Sequence, residues 1–143
     1  MIDALALVVA AFYSGAALYV NLVEKPALLA LHDQDALAGW MIALKRGAII
    51  QAPLCVIGFL LGAIAWFQTR SLADALGALA MLAGIPWTIA VILPINRSLQ
   101  RAMPEVAGAA TTALLRDWYL RHAVRTALGL LALIAFFVAL LAY

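Results

Sequence analysis

Residues 75–95 read ALGALAMLAGIPWTIAVILPI, an apolar run that contains no Asp, Glu, Lys or Arg. Three further runs have the same character, at residues 4–23, 48–67 and 126–143. Each run is long enough to cross a hydrocarbon layer of about 30 Å at about 1.5 Å per helical residue. Backbone amides in lipid must be hydrogen-bonded internally, and none of the runs alternates as a barrel strand does. The sequence therefore predicts an all-α bundle of four transmembrane helices.

The overall composition favours the same class. Hydrophobic residues make up 68% of the 143 residues and charged residues 11%, which is more apolar surface than a water-soluble domain of this length can bury. We expect one integral membrane domain over residues 1–143, in contact with the lipid bilayer and retaining its first span. The formal net charge is only +2 and the basic residues flank the spans, so nucleic acid is not an expected partner.

The basic residues predict an orientation. Of the nine Lys and Arg residues, all but Arg70 lie in or beside residues 24–47 and 96–125, the two long connections. The positive-inside rule places these connections in the cytoplasm and both termini outside. We expect a bacterial inner membrane protein in which helices 2 and 4 extend beyond the membrane on the cytoplasmic side.

Prolines and capping residues predict the helix ends. Pro26 is expected to kink or end the first helix, and Pro86 and Pro94 to weaken backbone hydrogen bonding in the third. The expected N-caps are Asp33 or Asp35 for the second helix and Thr111 or Thr112 for the fourth.

Polar residues gather at the predicted cytoplasmic ends of three helices. Because the ends of spans one, three and four lie on the same side, their polar groups reach one depth, where partly desolvated groups of opposite charge pair readily. The cluster consists of Asn21, Glu24, Asn96, Asp117, Arg121, His122 and Arg125. The sequence therefore predicts one shared polar pocket.

Each member of this cluster also has a structural alternative. His122 is the leading acid/base candidate because an imidazole exchanges protons near neutral pH, but an ordinary interfacial histidine explains it equally well. Glu24 is either a base or the structural partner of an arginine. Arg121 and Arg125 either bind an anionic oxygen or anchor the helix. Asn21 either contacts a ligand or joins two helices.

The tryptophans, the histidines and the single cysteine bear on aromatic binding, metal binding and other kinds of catalysis. Trp40, Trp87 and Trp118 either stack on an aromatic ligand or serve as membrane-belt and packing residues. We expect no metal site, because the only histidines are His32 and His122; a Glu24/His122 site is the remaining alternative. Nucleotide loops, redox motifs and nucleophile turns are not found, and Cys55 is expected to be a small buried hydrophobe.

Three short motifs stand at the predicted helix ends. They are NLVEKPA at residues 21–27, PWT at 86–88 followed by PINRSL at 94–99, and DW at 117–118 followed by His122 and Arg125. Their order and spacing resemble the anthrone-oxygenase-like family of small four-helix membrane proteins, over residues 15–126. The resemblance implies cofactor-independent oxidation of an anthrone to an anthraquinone, with a proton-abstracting base and an apolar aromatic substrate.

The expected function is a membrane-embedded oxidoreductase or oxygenase that acts on a hydrophobic anthrone-like or quinol-like molecule from the bilayer. His122 and Glu24 would handle protons, and Arg125, Arg121 or Asn96 would stabilise an anionic oxygen. The expected substrate-binding residues are Asn21, Asn96, Arg121, Asp117, Trp118, Trp87 and Trp40.

The sequence also bears on two other functions and on the oligomeric state. The alternative to an enzyme is a non-catalytic binding or accessory protein, whose polar cluster is a structural lock or a lipid-headgroup site. Solute transport is disfavoured because no inverted repeat is visible. Glycine faces on helices 2 and 3 suggest a homo-oligomer through Gly58, Gly62, Gly77 and Gly84.

Overall fold

The computed structural model describes residues 1–142, so Tyr143 at the end of the predicted fourth span lies outside the described residues. Within them, four helices are long and apolar enough to cross a membrane, and there is no strand. They are α1 (Ile2–Leu29), α2 (Asp33–Thr69), α3 (Leu72–Arg101) and α4 (Ala109–Leu141). The predicted all-α four-helix class is confirmed, and the four helices indicate an integral membrane protein.

The helices form a closed ring in chain order. Each packs on its neighbour in sequence, and α4 packs back on α1. The connections at residues 30–32 and 70–71 are only a few residues long, which forces successive helices to run antiparallel. Helices α2 and α4 therefore face each other diagonally across the centre of the bundle.

All four helices are longer than the hydrocarbon layer of a bilayer is thick, and α2 and α4 are the longest. Helix α2 has 37 residues and α4 has 33, which correspond to about 55 Å and about 50 Å at the usual helical rise, against a hydrocarbon thickness of about 30 Å. That α2 and α4 extend beyond the membrane stays a prediction, because all four helices exceed this thickness. The side of the membrane on which they project stays a prediction, as does the orientation.

The interior is divided into two clusters. The aromatic cluster, at one end of the bundle, is built around buried Trp40, Trp118 and Tyr119. The small-residue cluster packs Tyr13, Met81 and Phe136 among alanines: Ala6, Ala10, Ala80 and Ala132. A Cβ at any of the four glycines in the predicted oligomer faces would meet side chains of this bundle. These glycines therefore serve packing within the chain, and oligomerisation stays a prediction.

Two π-helical turns interrupt the α-helices, Val20–Glu24 in α1 and Thr88–Ile92 in α3. Pro26 and Pro94 each follow such a turn by two residues. A proline has no N–H and its ring clashes with the carbonyl four residues earlier, which in both cases lies inside the π turn. The wider turn accommodates the proline. Helix α1 consequently does not end at Pro26 but continues to Leu29.

The predicted N-caps are wrong. Helix α2 begins at Asp33 with His32 as N-cap, and α4 begins at Ala109 with Gly108 as N-cap, neither with a side-chain capping bond. Instead, the Thr112 hydroxyl donates to the Asp33 carboxylate. This contact joins the starts of the two long helices. Side chains that are able to cap a helix therefore form a tertiary hydrogen bond instead.

Candidate functional site

A cavity of about 270 Å³ lies where the two interior clusters meet. All four helices contribute to its wall, which is mostly apolar. Small-molecule sites in proteins are typically mostly apolar hollows of roughly 300–1,000 Å³ with a few polar groups. The cavity is slightly smaller than this range and has the same mostly apolar character. Its polar lining residues are Glu24, Gln51, Thr88, Asn96, His122 and Arg125.

The cavity has a lateral mouth between α2 and α3. Its rim includes Ala48, Ala52 and Val56 on one side and Ile89 on the other, all of them exposed on the flank of the bundle. Alanines at successive turns of α2 leave a gap because they have no bulk beyond Cβ. In a membrane this flank faces lipid, so an apolar molecule can enter without crossing water.

His122 lies at the back of this cavity, on α4. Its side chain is 2% exposed, and its ring stacks on Trp118 with 5.1 Å between centroids and 26° between planes. Trp118 and His122, four residues apart on α4, thus form a stacked pair. Nδ1 of His122 is 3.0 Å from Oδ1 of Asn21 on α1, so the helices position the ring from two sides.

The bonds of Asn21 determine which ring nitrogen of His122 carries hydrogen. Nδ2 of Asn21 donates to the backbone carbonyl of Tyr119 at 2.9 Å, and a carbonyl can only accept. Oδ1 must therefore be the amide oxygen, and it also accepts from the Thr126 hydroxyl at 2.8 Å. It follows that Nδ1 of His122 donates, and that a neutral ring carries its lone pair on Nε2. Within residues 1–142 Nε2 has no hydrogen-bond partner.

Arg125 lies one turn further along α4 and brings a positive charge to the cavity wall. Its Nε donates to the hydroxyl of Tyr13 at 3.1 Å, and its guanidinium lies 5.7 Å from the centroid of that ring. In the described part of the chain no carboxylate forms an ion pair with it. Its remaining N–H groups are therefore available to an anionic oxygen.

Glu24 lines the cavity from the end of the π turn in α1. The hydroxyl of Tyr119 donates to its Oε1 at 2.9 Å, so its partner is a tyrosine and not the arginine considered as a structural alternative. Its second oxygen has no partner among the described residues. Glu24 also lines a second cavity of about 360 Å³ between α1 and α2.

Asn96 and Trp118 complete the predicted residues that line the cavity. The indole N–H of Trp118 donates to Oδ1 of Asn96. This bond leaves the N–H groups of the Asn96 carboxamide free to donate to a ligand oxygen.

The remaining predicted site residues lie elsewhere. Arg121 and Asp117 form an exposed ion pair at 2.8 Å on the outer face of α4. The indole of Trp87 donates to the backbone carbonyl of Arg121 at 3.1 Å. Trp40 is fully buried and meets Trp118 edge-on at 5.5 Å, away from the cavity. None of these four lines the cavity. Asn21 does not line it either, but it is hydrogen-bonded to His122, which does.

Besides Thr88, which lines the cavity and donates to the backbone carbonyl of Gly84, two residues of the site were not predicted from the sequence. Tyr13 holds Arg125, and Gln51 is a buried amide on the cavity wall. Both lie inside apolar runs, and Gln51 is the only amide in residues 48–67. A polar side chain in mid-span is the signal that identifies such residues. No group of three or more His, Cys, Asp or Glu in residues 1–142 is arranged to hold a metal ion.

Comparison with known proteins gives one match. The family model described as anthrone oxygenase matches residues 40–135, which include Gln51, Asn96, His122 and Arg125 but not Asn21 or Glu24. No curated protein and no solved structure matches the chain. The family description indicates an oxidoreductase of oxygenase type. Since the match spans more than half of the sequence, the chain belongs to the anthrone oxygenase family.

Proposed function

We propose that this protein oxidises a hydrophobic anthrone-like or quinol-like molecule with dioxygen, using His122 as the base. The observation that carries the proposal is the Asn21 network, which leaves the Nε2 lone pair of His122 without a partner beside a cavity that opens sideways. Family membership supports the reaction class. The substrate and the residue roles are the proposal.

The first step is proton transfer. The methylene carbon of an anthrone lies between two aromatic rings conjugated to a carbonyl, so its C–H bond is acidic enough for an imidazole to act on. Nε2 of His122 takes this proton, and the ring becomes an imidazolium. Stacking on Trp118 attracts the positive charge of that ring, which burial and the neighbouring Arg125 oppose.

The electron pair left on carbon spreads to the carbonyl oxygen of the substrate. Arg125 has N–H groups and an unpaired charge with which to stabilise that oxyanion, and the Asn96 carboxamide can add a further donor. Arg121, the alternative named from sequence, is engaged in the exposed pair with Asp117. The geometry therefore favours Arg125 and Asn96.

Dioxygen then accepts electrons from the anion. A C–O bond forms to give a peroxide anion, which takes the proton from His122 and becomes a hydroperoxide. His122 next removes the second hydrogen of the same carbon as a proton, while the C=O bond forms and the O–O bond breaks. The hydroxide that leaves takes this proton and becomes water. One anthrone and one dioxygen give one anthraquinone and one water. Glu24 lines the same cavity and serves as the second proton-handling group: its unpartnered oxygen takes the second proton from His122 and passes it to the hydroxide that leaves.

The test compares two histidine variants in lipid nanodiscs. Unsubstituted anthrone is supplied, and anthraquinone absorbance and dioxygen consumption are followed together. His122→Phe preserves an aromatic ring against Trp118 but has no base, so turnover should fall at least about 10²-fold. His32→Gln changes the exposed histidine at the start of α2 and should leave turnover unchanged.

Two results would count against this function. A correctly folded His122→Phe variant with wild-type turnover would show that His122 is not the base. A wild-type protein that binds the quinone product but never consumes dioxygen would favour the non-catalytic binding protein.

A further inference from the structure

Gln51 is a buried polar residue that the proposed reaction does not use. It lies in α2, is 4% exposed, and lines both the main cavity and the second cavity between α1 and α2. Its Oε1 is sealed from solvent and has no hydrogen-bond partner. Neither end of this carboxamide is hydrogen-bonded to any residue in the described range.

Such an amide is unusual in a protein interior. Burying an amide without a partner is destabilising, and most buried polar groups are satisfied. The neighbours of Gln51 at successive turns, Gly47 and Cys55, do not satisfy it; Cys55 donates to the backbone carbonyl of Met81 instead. A ligand in the cavity is therefore the natural source of the missing hydrogen bonds.

The position of Gln51 suggests which part of a ligand it meets. Helices α2 and α4 are diagonal in the ring, so Gln51 lies on the wall across from His122 and Arg125. A flat molecule with its reacting carbon at His122 and its carbonyl oxygen at Arg125 would turn another ring edge toward α2. A hydroxyl on that edge can accept from Nε2, the end of the carboxamide that is not sealed.

We propose that Gln51 determines specificity by binding a hydroxyl group on the aromatic substrate, at the edge away from the reacting carbon. The inference rests on the proposed function for the orientation of the substrate. Gln51 touches neither the proton nor the oxyanion, so it contributes to recognition and not to the chemical step. Its loss should weaken binding of hydroxylated compounds and leave unhydroxylated ones nearly unaffected.

Binding is measured without turnover, using quinones that do not react with dioxygen. The probes are 1-hydroxyanthraquinone, 2-hydroxyanthraquinone and unsubstituted anthraquinone, and the readout is quenching of tryptophan fluorescence in nanodiscs. The wild type should bind the better hydroxylated probe about fivefold more tightly than anthraquinone, the ratio expected for one hydrogen bond. Gln51→Leu should reduce that ratio to about one without changing the affinity for anthraquinone. Gln51→Met, which keeps the length of the side chain, serves if the leucine variant does not fold.

Gln68→Leu is the matched control, because Gln68 is an exposed amide near the far end of the same helix; it should retain the wild-type ratio. The proposal is wrong if Gln51→Leu keeps the hydroxyl preference, if the wild type has none, or if no probe binds. Turnover of anthrone is measured separately. A hydroxyl preference lost in Gln51→Leu, together with a wild type that never oxidises anthrone, would support recognition by Gln51 and refute only the proposed reaction.

Discussion

Replacing Asn21 with leucine removes the group that fixes the His122 ring. The Thr126 hydroxyl loses one acceptor but keeps a second, the Ala17 carbonyl at 3.2 Å. The Tyr119 carbonyl loses the Asn21 donor but lies within α4, where it belongs to the backbone hydrogen bonding of the helix. Only the Nδ1–H of His122 loses its sole partner, and an orphaned buried donor costs about 1–3 kcal/mol. We expect the free energy of unfolding to fall by that amount.

The effect of Asn21→Leu on turnover should exceed the effect on binding. Without an acceptor at Nδ1, the ring can place its hydrogen on Nε2, where it blocks proton abstraction, and it can also rotate. Misplacing a catalytic group by about 1 Å costs up to about 10²-fold, so kcat should fall roughly 10- to 100-fold, or about 1.4–2.7 kcal/mol of barrier. The affinity for anthraquinone should hardly change, because Asn21 does not line the cavity.

The assay is dioxygen consumption with anthrone in nanodiscs, and the thermal midpoint of the same samples reports stability. The control is Thr126→Val, which removes another hydrogen bond to the same Asn21 oxygen but leaves the bond from His122; its turnover should stay within about twofold of the wild type. Equal turnover in Asn21→Leu and the wild type, or equal loss in both variants, would refute the role assigned to the tautomer.

Three further variants test other parts of the structure. Arg125→Met removes the unpaired cation, so kcat/KM for anthrone should fall about 10²- to 10³-fold, the usual effect of losing an oxyanion donor; a smaller loss than tenfold would contradict this role. Glu24→Gln keeps an oxygen for its tyrosine partner but cannot exchange protons, so kcat should drop at least about tenfold while the thermal midpoint is kept; unchanged kcat would make Glu24 structural. Gly62→Ala puts a Cβ 2.7 Å from Cε1 of Phe136 and should lower the free energy of unfolding by about 1–3 kcal/mol. Gly15→Ala, which has open space around it, should not lower it. Equal effects of the two variants on thermal unfolding would contradict the packing argument.

The fold was predictable because lipid imposes a length and a polarity on each span. Four uncharged runs of sufficient length allow little besides a helical bundle, and all four were found as helices. Helix ends were less predictable. Asp33 and Thr112 have the chemistry of N-caps but bond to each other across two helices, and this tertiary contact is invisible in either local sequence. A proline likewise signals a lost hydrogen bond without showing that the helix will continue through a π turn.

The level of the bundle at which the candidate site lies was predictable from the sequence, but which side chains face inward was not. Topology brought the polar ends of three helices to one level, where α4 carries two i, i+4 pairs, Trp118 with His122 and Asp117 with Arg121. Which pair faces inward depends on where the neighbouring helices lie, so only one of the two pairs reaches the cavity. Gln51 was not predicted because it lies inside an apolar run and not at a helix end, where the other polar residues gather.

Under the proposed function, the lateral mouth between α2 and α3 makes the substrate concentration in the membrane the one that sets the reaction rate. For a substrate that arrives through the bilayer, the mole fraction in the membrane sets the degree of saturation of the site. The amount of substrate per volume of buffer does not. Adding empty vesicles at constant total substrate and enzyme would slow the reaction through surface dilution. Concentrating the whole suspension would leave the rate per enzyme unchanged.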